Sequence, residues 1–273
     1  MPNTTPPFVF HPGTAPLLIS FPHVGTHVPP DLSARLTPKA REVHDTDWHL
    51  PPLYDFARGL GASLLVATHS RYVIDLNRPP DGASLYPGQS VTALCPVDDF
   101  DGERIYRDEA DEPAADEVAE RRAALWQPYH DALAAELARI RAAHGVAVLW
   151  DAHSIRSVLP RFFDGKLPDL NLGTADGTSC APELAQELLR VAGSAPGFTA
   201  VLNGRFKGGH ITRAHGRPHE GVHAVQLELT QSSYMQEAVP FDYLPEQAAR
   251  IQPTLERLLQ TALAFARRAV HQV

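Results

Sequence analysis

The chain has 273 residues, of which 44% are hydrophobic and 21% charged; 24 Lys and Arg stand against 32 Asp and Glu, for a formal charge of −8. This suits one large α/β domain over 1–273 with a full core, and the acidic excess argues against nucleic acid or an anionic membrane as a partner. Two cysteines, Cys95 and Cys180, exclude a disulfide framework and a thiolate zinc site, which together with an opening MPNTTPPFVFHPG unlike a signal peptide and no membrane-length apolar run predicts a cytoplasmic protein.

In chain order, LLISF (17–21) reads as a buried strand ended by Pro22-His23-Val24-Gly25. The stretch from Ala40 to Tyr54 holds the polar cluster HDTDWH. Two β segments are expected over 64–69 and 72–75, then a Pro-, Gly- and Asp-rich loop from Asn77 to Asp101. Residues 113–144 carry Leu125, Tyr129, Leu133, Leu137 and Ile140 at helical spacing, with Pro128 as a kink and Gly145 as the C-cap. Val146 to Trp150 is an all-apolar run typical of a strand covered on both faces. A helix over 182–192, strands over 198–202 and 223–229, and a long amphipathic helix over 244–270 complete the reading. Strands alternating with helices imply a mainly parallel sheet covered on both sides, with functional groups at the carboxyl ends of the strands.

Polar groups stand where that rule directs attention. His23 follows LLISF and Asp151-Ala152-His153 follows VAVLW. Two imidazoles and one carboxylate make a catalytic metal set with a position left for water. His23 and His153 are the imidazoles, Asp47 is the preferred carboxylate with Asp45 as its alternative, and Asp151 suits an orienting partner. Zinc is the first choice of metal; Mn, Co and Fe accept the same donors. The bland alternative makes each His a strand-end cap. Glu228 lies inside the apolar run AVQLEL, where a carboxylate is rare unless paired, liganding or catalytic. Beside a metal it suits a general base and then a general acid. Arg71, Asn77 and Arg78 offer donors to a carboxylate, and the segment 203–216, with Arg205, Arg213 and His215, suits a loop over an anionic ligand. No G-x-S-x-G elbow, Rossmann glycine fingerprint or H-E-x-x-H is present.

Three long runs carry a resemblance: RYVIDLNRPPDGASLYPGQ, LWDAHSIRSVLPRFFDGKLPDLNLGTADGTSC and NGRFKGGHITRAHGRPHEGVHAVQLELTQSSYM. With SFPHVGTHVPP and DTDWHLPPLYDF, they resemble the N-formylglutamate deformylase family over nearly all of Leu17 to Tyr234. That family is distantly similar to the zinc carboxypeptidases and the aspartoacylase and succinylglutamate desuccinylase group. Their strand-end H-x-x-E, Arg, N-R, D-x-H and late Glu match here, in order, at His23, Arg71, Asn77-Arg78, His153 and Glu228. The departure is Thr26 where the H-x-x-E pattern has Glu, so the carboxylate ligand is expected from elsewhere, with Asp47 as the substitute.

The resemblance implies a three-layer α/β sandwich with a mixed, mainly parallel sheet of the phosphorylase/hydrolase type. It implies hydrolysis of N-formyl-L-glutamate to formate and L-glutamate, in histidine degradation. Arg71 would then stabilise the oxyanion, Asn77 and Arg78 would hold the α-carboxylate, and Arg213, or else Arg205 or His215, the side-chain carboxylate. The alternatives are the same chemistry on another N-formyl or N-acyl amino acid such as an N-acyl-aspartate, and a catalytically silent carboxylate-binding module. Both a monomer and a homo-oligomer stay open.

Overall fold

The computed structural model describes residues 5–83 and 92–269. The strands are β1 (Phe8–His11), β2 (Leu17–Phe21), β3 (Ser63–Ala67), β4 (Ala147–Ile155), β5 (Leu170–Gly173), β6 (Ala200–Leu202) and β7 (Val222–Thr230). They form a seven-stranded sheet in the order β1-β3-β2-β4-β7-β5-β6. The pairs β2–β3, β2–β4, β4–β7 and β5–β6 are parallel, while β1–β3 and β5–β7 are antiparallel. The sheet is thus mixed and mainly parallel, as expected.

The helices are α1 (Pro30–Arg35), α2 (Leu50–Leu53), α3 (Ala115–Arg121), α4 (Gln127–His144), α5 (Pro182–Gly193), α6 (His210–His215) and α7 (Pro245–Ala269). Strand side chains alternate between faces, and the two faces pack separately. Leu17, Ile19 and Phe21 of β2, Val148, Trp150 and Ala152 of β4, and Val225, Leu227 and Leu229 of β7 join α5 and α7 in one core. Leu18, Ala147, Leu149, Val222 and Ala224 face the other way, onto Tyr129, Leu133, Leu137 and Ile140 of α4. Helices on both sides give three layers.

The α4-facing row changes character along the strands. On β4 it runs Ala147, Leu149, Asp151, His153; on β7 it runs Val222, Ala224, Gln226, Glu228. The opposite row is apolar through Val148, Trp150 and Ala152 on β4 and through Val225, Leu227 and Leu229 on β7, while the α4-facing row turns polar at Asp151 and His153 and at Gln226 and Glu228. That alternation positions the site.

Several expectations need correction. β4 continues through Ile155, so Asp151 and His153 lie within the strand rather than after it. Residues 72–75 are not a strand: the Val73 carbonyl accepts from Arg121 Nη1, the Asp75 N–H donates to the Leu94 carbonyl, and Tyr72 and Val73 pack in a small cluster with Leu32, Leu36 and Tyr106. Of the loop expected from Asn77 to Asp101, residues 84–91 lie outside the described residues. The helix expected over 113–144 begins at Ala115 and passes through a π-helical turn, Arg122–Trp126, which precedes Pro128. Gly145 does cap it, at φ 75°, a left-handed conformation that suits glycine. The short strands β1 and β5 carry too few residues for periodicity to reveal them.

Candidate active site

His23 lies two residues beyond β2, and its carbonyl accepts the Asp47 N–H at 3.0 Å. That backbone bond brings the Asp47 carboxylate beside the imidazole. His153, on β4, completes the group: donor atoms of His23, Asp47 and His153 lie within 4.8 Å of one another, and all three residues are buried. The two rings stand 4.8 Å apart between centroids.

Each ring is oriented from behind. His23 Nε2 lies 2.7 Å from Asp75 Oδ1. The Asp75 carboxyl is buried, but Arg78, His23 and Arg71 overcome the cost of burial and hold it well below the usual carboxylate range. An ionised carboxylate only accepts, so the His23 proton sits on Nε2. Nδ1 is left with a lone pair, buried and without a hydrogen-bond partner among the described residues, 3.8 Å from Asp47 Oδ2. His153 repeats the arrangement: Nε2 is 3.1 Å from Asp151 Oδ2 and Nδ1 is 3.1 Å from Asp47 Oδ2. Burial alone would make His153 hard to charge, yet Asp151 and Asp47 raise its pKa well above the ordinary value. A divalent cation among the two Nδ1 atoms and Asp47 would supply the positive charge that the proton on His153 otherwise supplies. The donor set, the orphaned Nδ1 and the carboxylate behind each imidazole fit a metal ion.

Asp45, the alternative ligand, faces elsewhere. Its Oδ2 accepts from Tyr72 Oη at 2.7 Å and from the Phe100 N–H at 2.8 Å. Thr26 is exposed.

Glu228 sits directly across the ladder from His153. It is only 8% exposed, and Gln226 Nε2 lies 3.4 Å from its Oε2. Burial, reinforced by Asp47 and Asp151 against the opposing His153 and Arg71, pushes its carboxyl up to about 8. A carboxyl so placed exchanges protons near neutrality.

Glu228, His23 and His153 line one cavity with Arg71, Asn77, Arg78, Arg205, Gln226 and the rings of Phe100, Phe162 and Phe206. Arg71 is buried, donates to Asp75 Oδ2 at 2.6 Å and lies 4.6 Å from the Phe100 ring centroid. Arg78 donates from Nε and Nη2 to the carbonyl and hydroxyl of Thr92. Asn77 accepts the Ile211 N–H at 2.8 Å, and its amide nitrogen lies 3.0 Å from His153 Nε2. Gly209 passes so close to that carboxamide that a Cβ there would come within 2.4 Å of it. Arg205 donates to the Phe162 carbonyl at 2.6 Å and packs near the Phe162 and Phe206 rings.

Arg213 and His215 are not among the residues lining this cavity. Arg213 Nε donates to the Gly208 carbonyl, and His215 stacks on His130 of α4. Both belong to α6. Sequence reasoning passed over Asp75 and the three phenylalanines. Asp75 carried the same signal as Glu228, a carboxylate in the apolar run YVIDL; the phenylalanines carried none, because aromatic residues are core by default.

The family model for N-formylglutamate amidohydrolase matches residues 15–235. The chain belongs to the N-formylglutamate amidohydrolase family. Its relatives include the N-formylglutamate deformylases of Pseudomonas aeruginosa, 53% identical over 94% of this chain and 96% of that one, and of Pseudomonas putida, 52% identical over 94% and 95%. Among solved structures, the N-formylglutamate amidohydrolase of Ralstonia eutropha JMP134 superposes with a TM-score of 0.82 at 27% identity, over 97% of this chain and all of that one. A protein of Agrobacterium tumefaciens shares the fold at a TM-score of 0.70 and 18% identity, over 98% and 97%. The residues matched by the amidohydrolase family run from before β2 to beyond β7, and so include every cavity-lining side chain named above.

Proposed function

We propose that this family member hydrolyses N-formyl-L-glutamate to formate and L-glutamate, with a divalent metal, zinc by first choice, held by His23, Asp47 and His153. The observation that carries the reading is the placement of Glu228 across the ladder from His153, in one cavity with three arginines. A divalent ion held by His23, Asp47 and His153 would supply Lewis acidity toward the formyl oxygen and the attacking water. Glu228 takes a proton from the attacking water and returns it to the leaving nitrogen. Arg71 faces the developing oxyanion. Arg78 takes the α-carboxylate, while Asn77 supports it by holding the 209–211 backbone beside the site. Arg205 takes the side-chain carboxylate at the mouth, where Phe162 and Phe206 exclude water. This role passes to Arg205 because Arg213 and His215 do not line the cavity.

The pathway assignment, to histidine degradation, and a cytoplasmic location are part of the same reading; the two cysteines are free and buried. No helix among the described residues is long and apolar enough to cross a membrane. The test is formate release from N-formyl-L-glutamate, N-formyl-L-aspartate and N-formyl-L-methionine, with and without a chelator. Release from the first, abolished by chelation and restored by zinc, is expected. Equal rates on the methionine substrate would remove the dicarboxylate assignment.

A further inference from the structure

Leu76, Asn77 and Arg78 cross the interior without regular secondary structure, yet each carbonyl has a donor. The Leu76 carbonyl accepts from His130 Nε2 at 2.8 Å, that of Asn77 from the His210 N–H at 3.3 Å, and that of Arg78 from the Trp126 indole at 3.0 Å. Just upstream, the Val73 carbonyl accepts from Arg121 Nη1 at 2.9 Å. A buried carbonyl without a partner is costly; the Asn77 carbonyl also accepts from Arg78 Nη1 at 3.2 Å, and three of the five donors are side chains of one helical run, at 121, 126 and 130. The spacing is informative. Residues five apart on an α-helix face directions about 140° apart. The π-helical turn Arg122–Trp126 intervenes between Arg121 and Trp126 and lets both address the same strand of chain. Trp126 and His130 are one α-helical turn apart.

The pair is also locked in place. The indole stacks on the His130 imidazole, with centroids 3.7 Å apart and planes at 20°. His130 must carry its proton on Nε2 to donate to Leu76, so Nδ1 is an acceptor, and His215 Nε2 lies 3.2 Å from it. Burial lowers His130 to about 3 and His215 to about 4, so both rings are neutral around pH 7.

We propose that Trp126 and His130 are positioning residues for substrate binding: by gripping the carbonyls on either side of Asn77, they set the Arg78 guanidinium against the cavity. The proposal rests on the reading of Arg78 as the partner of the substrate's α-carboxylate. It gives the π-helical turn a role, since such turns recur at functional sites, and it gives His215 one as the donor that fixes the His130 tautomer.

Two variants test it. Trp126→Phe keeps a ring on His130 while removing the indole N–H and part of the ring's volume; His130→Phe removes the donor to Leu76. Both should raise KM for N-formyl-L-glutamate roughly tenfold with kcat within about threefold of wild type, the scale set by one buried carbonyl losing its donor. Amide exchange should quicken in peptides covering residues 74–79 and stay unchanged in β4 and β7. A fall in kcat at unchanged KM overturns the proposal. So does a lowered melting temperature with KM and exchange both unmoved. If wild type releases no formate from N-formyl-L-glutamate, the substrate reading fails instead, and exchange then decides alone: wild-type protection of 74–79 in both variants overturns the proposal.

Discussion

The β4–β7 pair and the segment 203–216 both hold site candidates, but they delivered them differently. On the strands, every polar residue singled out on the α4-facing row reached the cavity or the residues behind it: Asp151, His153, Gln226 and Glu228. On the segment, Arg205 lines the cavity while Arg213 and His215 do not. The difference is one of constraint. A strand has a period of two, and a core that buries one face commits the other residues to the opposite face. A stretch holding a short helix has no such rule, so each side chain goes where local packing sends it.

The largest expected effect lies on the strand side. His153→Ala should abolish both metal content and formate release, because a three-ligand site does not close with two; His23→Ala and Asp47→Ala should do the same. Elemental analysis of purified variants reads this directly, and full metal content in His153→Ala removes His153 from the ligand set. Asp45→Asn should retain the metal, as its Oδ2 is held by Tyr72 and Phe100 and it is Asp47 that groups with His23 and His153.

Next comes Glu228→Gln, which preserves size and hydrogen bonding but not proton transfer. It should lower kcat by at least ~100-fold with the metal retained. If metal and activity fall together, Glu228 is a ligand rather than the base.

The segment supplies the sharper discrimination. Arg205→Met should cost roughly 100-fold in kcat/KM on N-formyl-L-glutamate while leaving N-formyl-L-methionine little changed, since only the first substrate loses a charged partner. Arg213→Met, the smallest effect expected, should change kcat/KM on either substrate by less than about threefold, as for a substitution away from the site. The reverse ranking of the two arginines would restore the assignment that accompanied the family resemblance and would mean that the segment moves when substrate binds.

Much of this was legible before folding. Period-two patterning and all-apolar runs located β2, β4 and β7, and a carboxylate embedded in AVQLEL marked Glu228 as a candidate, because burying an unpaired charge is costly; the structure buries it against the cavity. The long blocks from Leu17 to Tyr234 pointed to the family. Local sequence preferred Asp47 but kept Asp45 as its alternative, two residues apart with the same chemistry. The grouping of Asp47 with His23 rests on a backbone bond, and Tyr72 and Phe100 hold Asp45 Oδ2, contacts between segments far apart in the chain. Nor could sequence reveal that Asp75 stands behind His23, that the apparent strand 72–75 is held by an arginine from α3, or that Arg213 and His215 of α6 do not line the cavity. Patterning reports which face of a regular element is buried; where irregular chain passes, and which distant donor meets its carbonyls, is decided only when the layers pack.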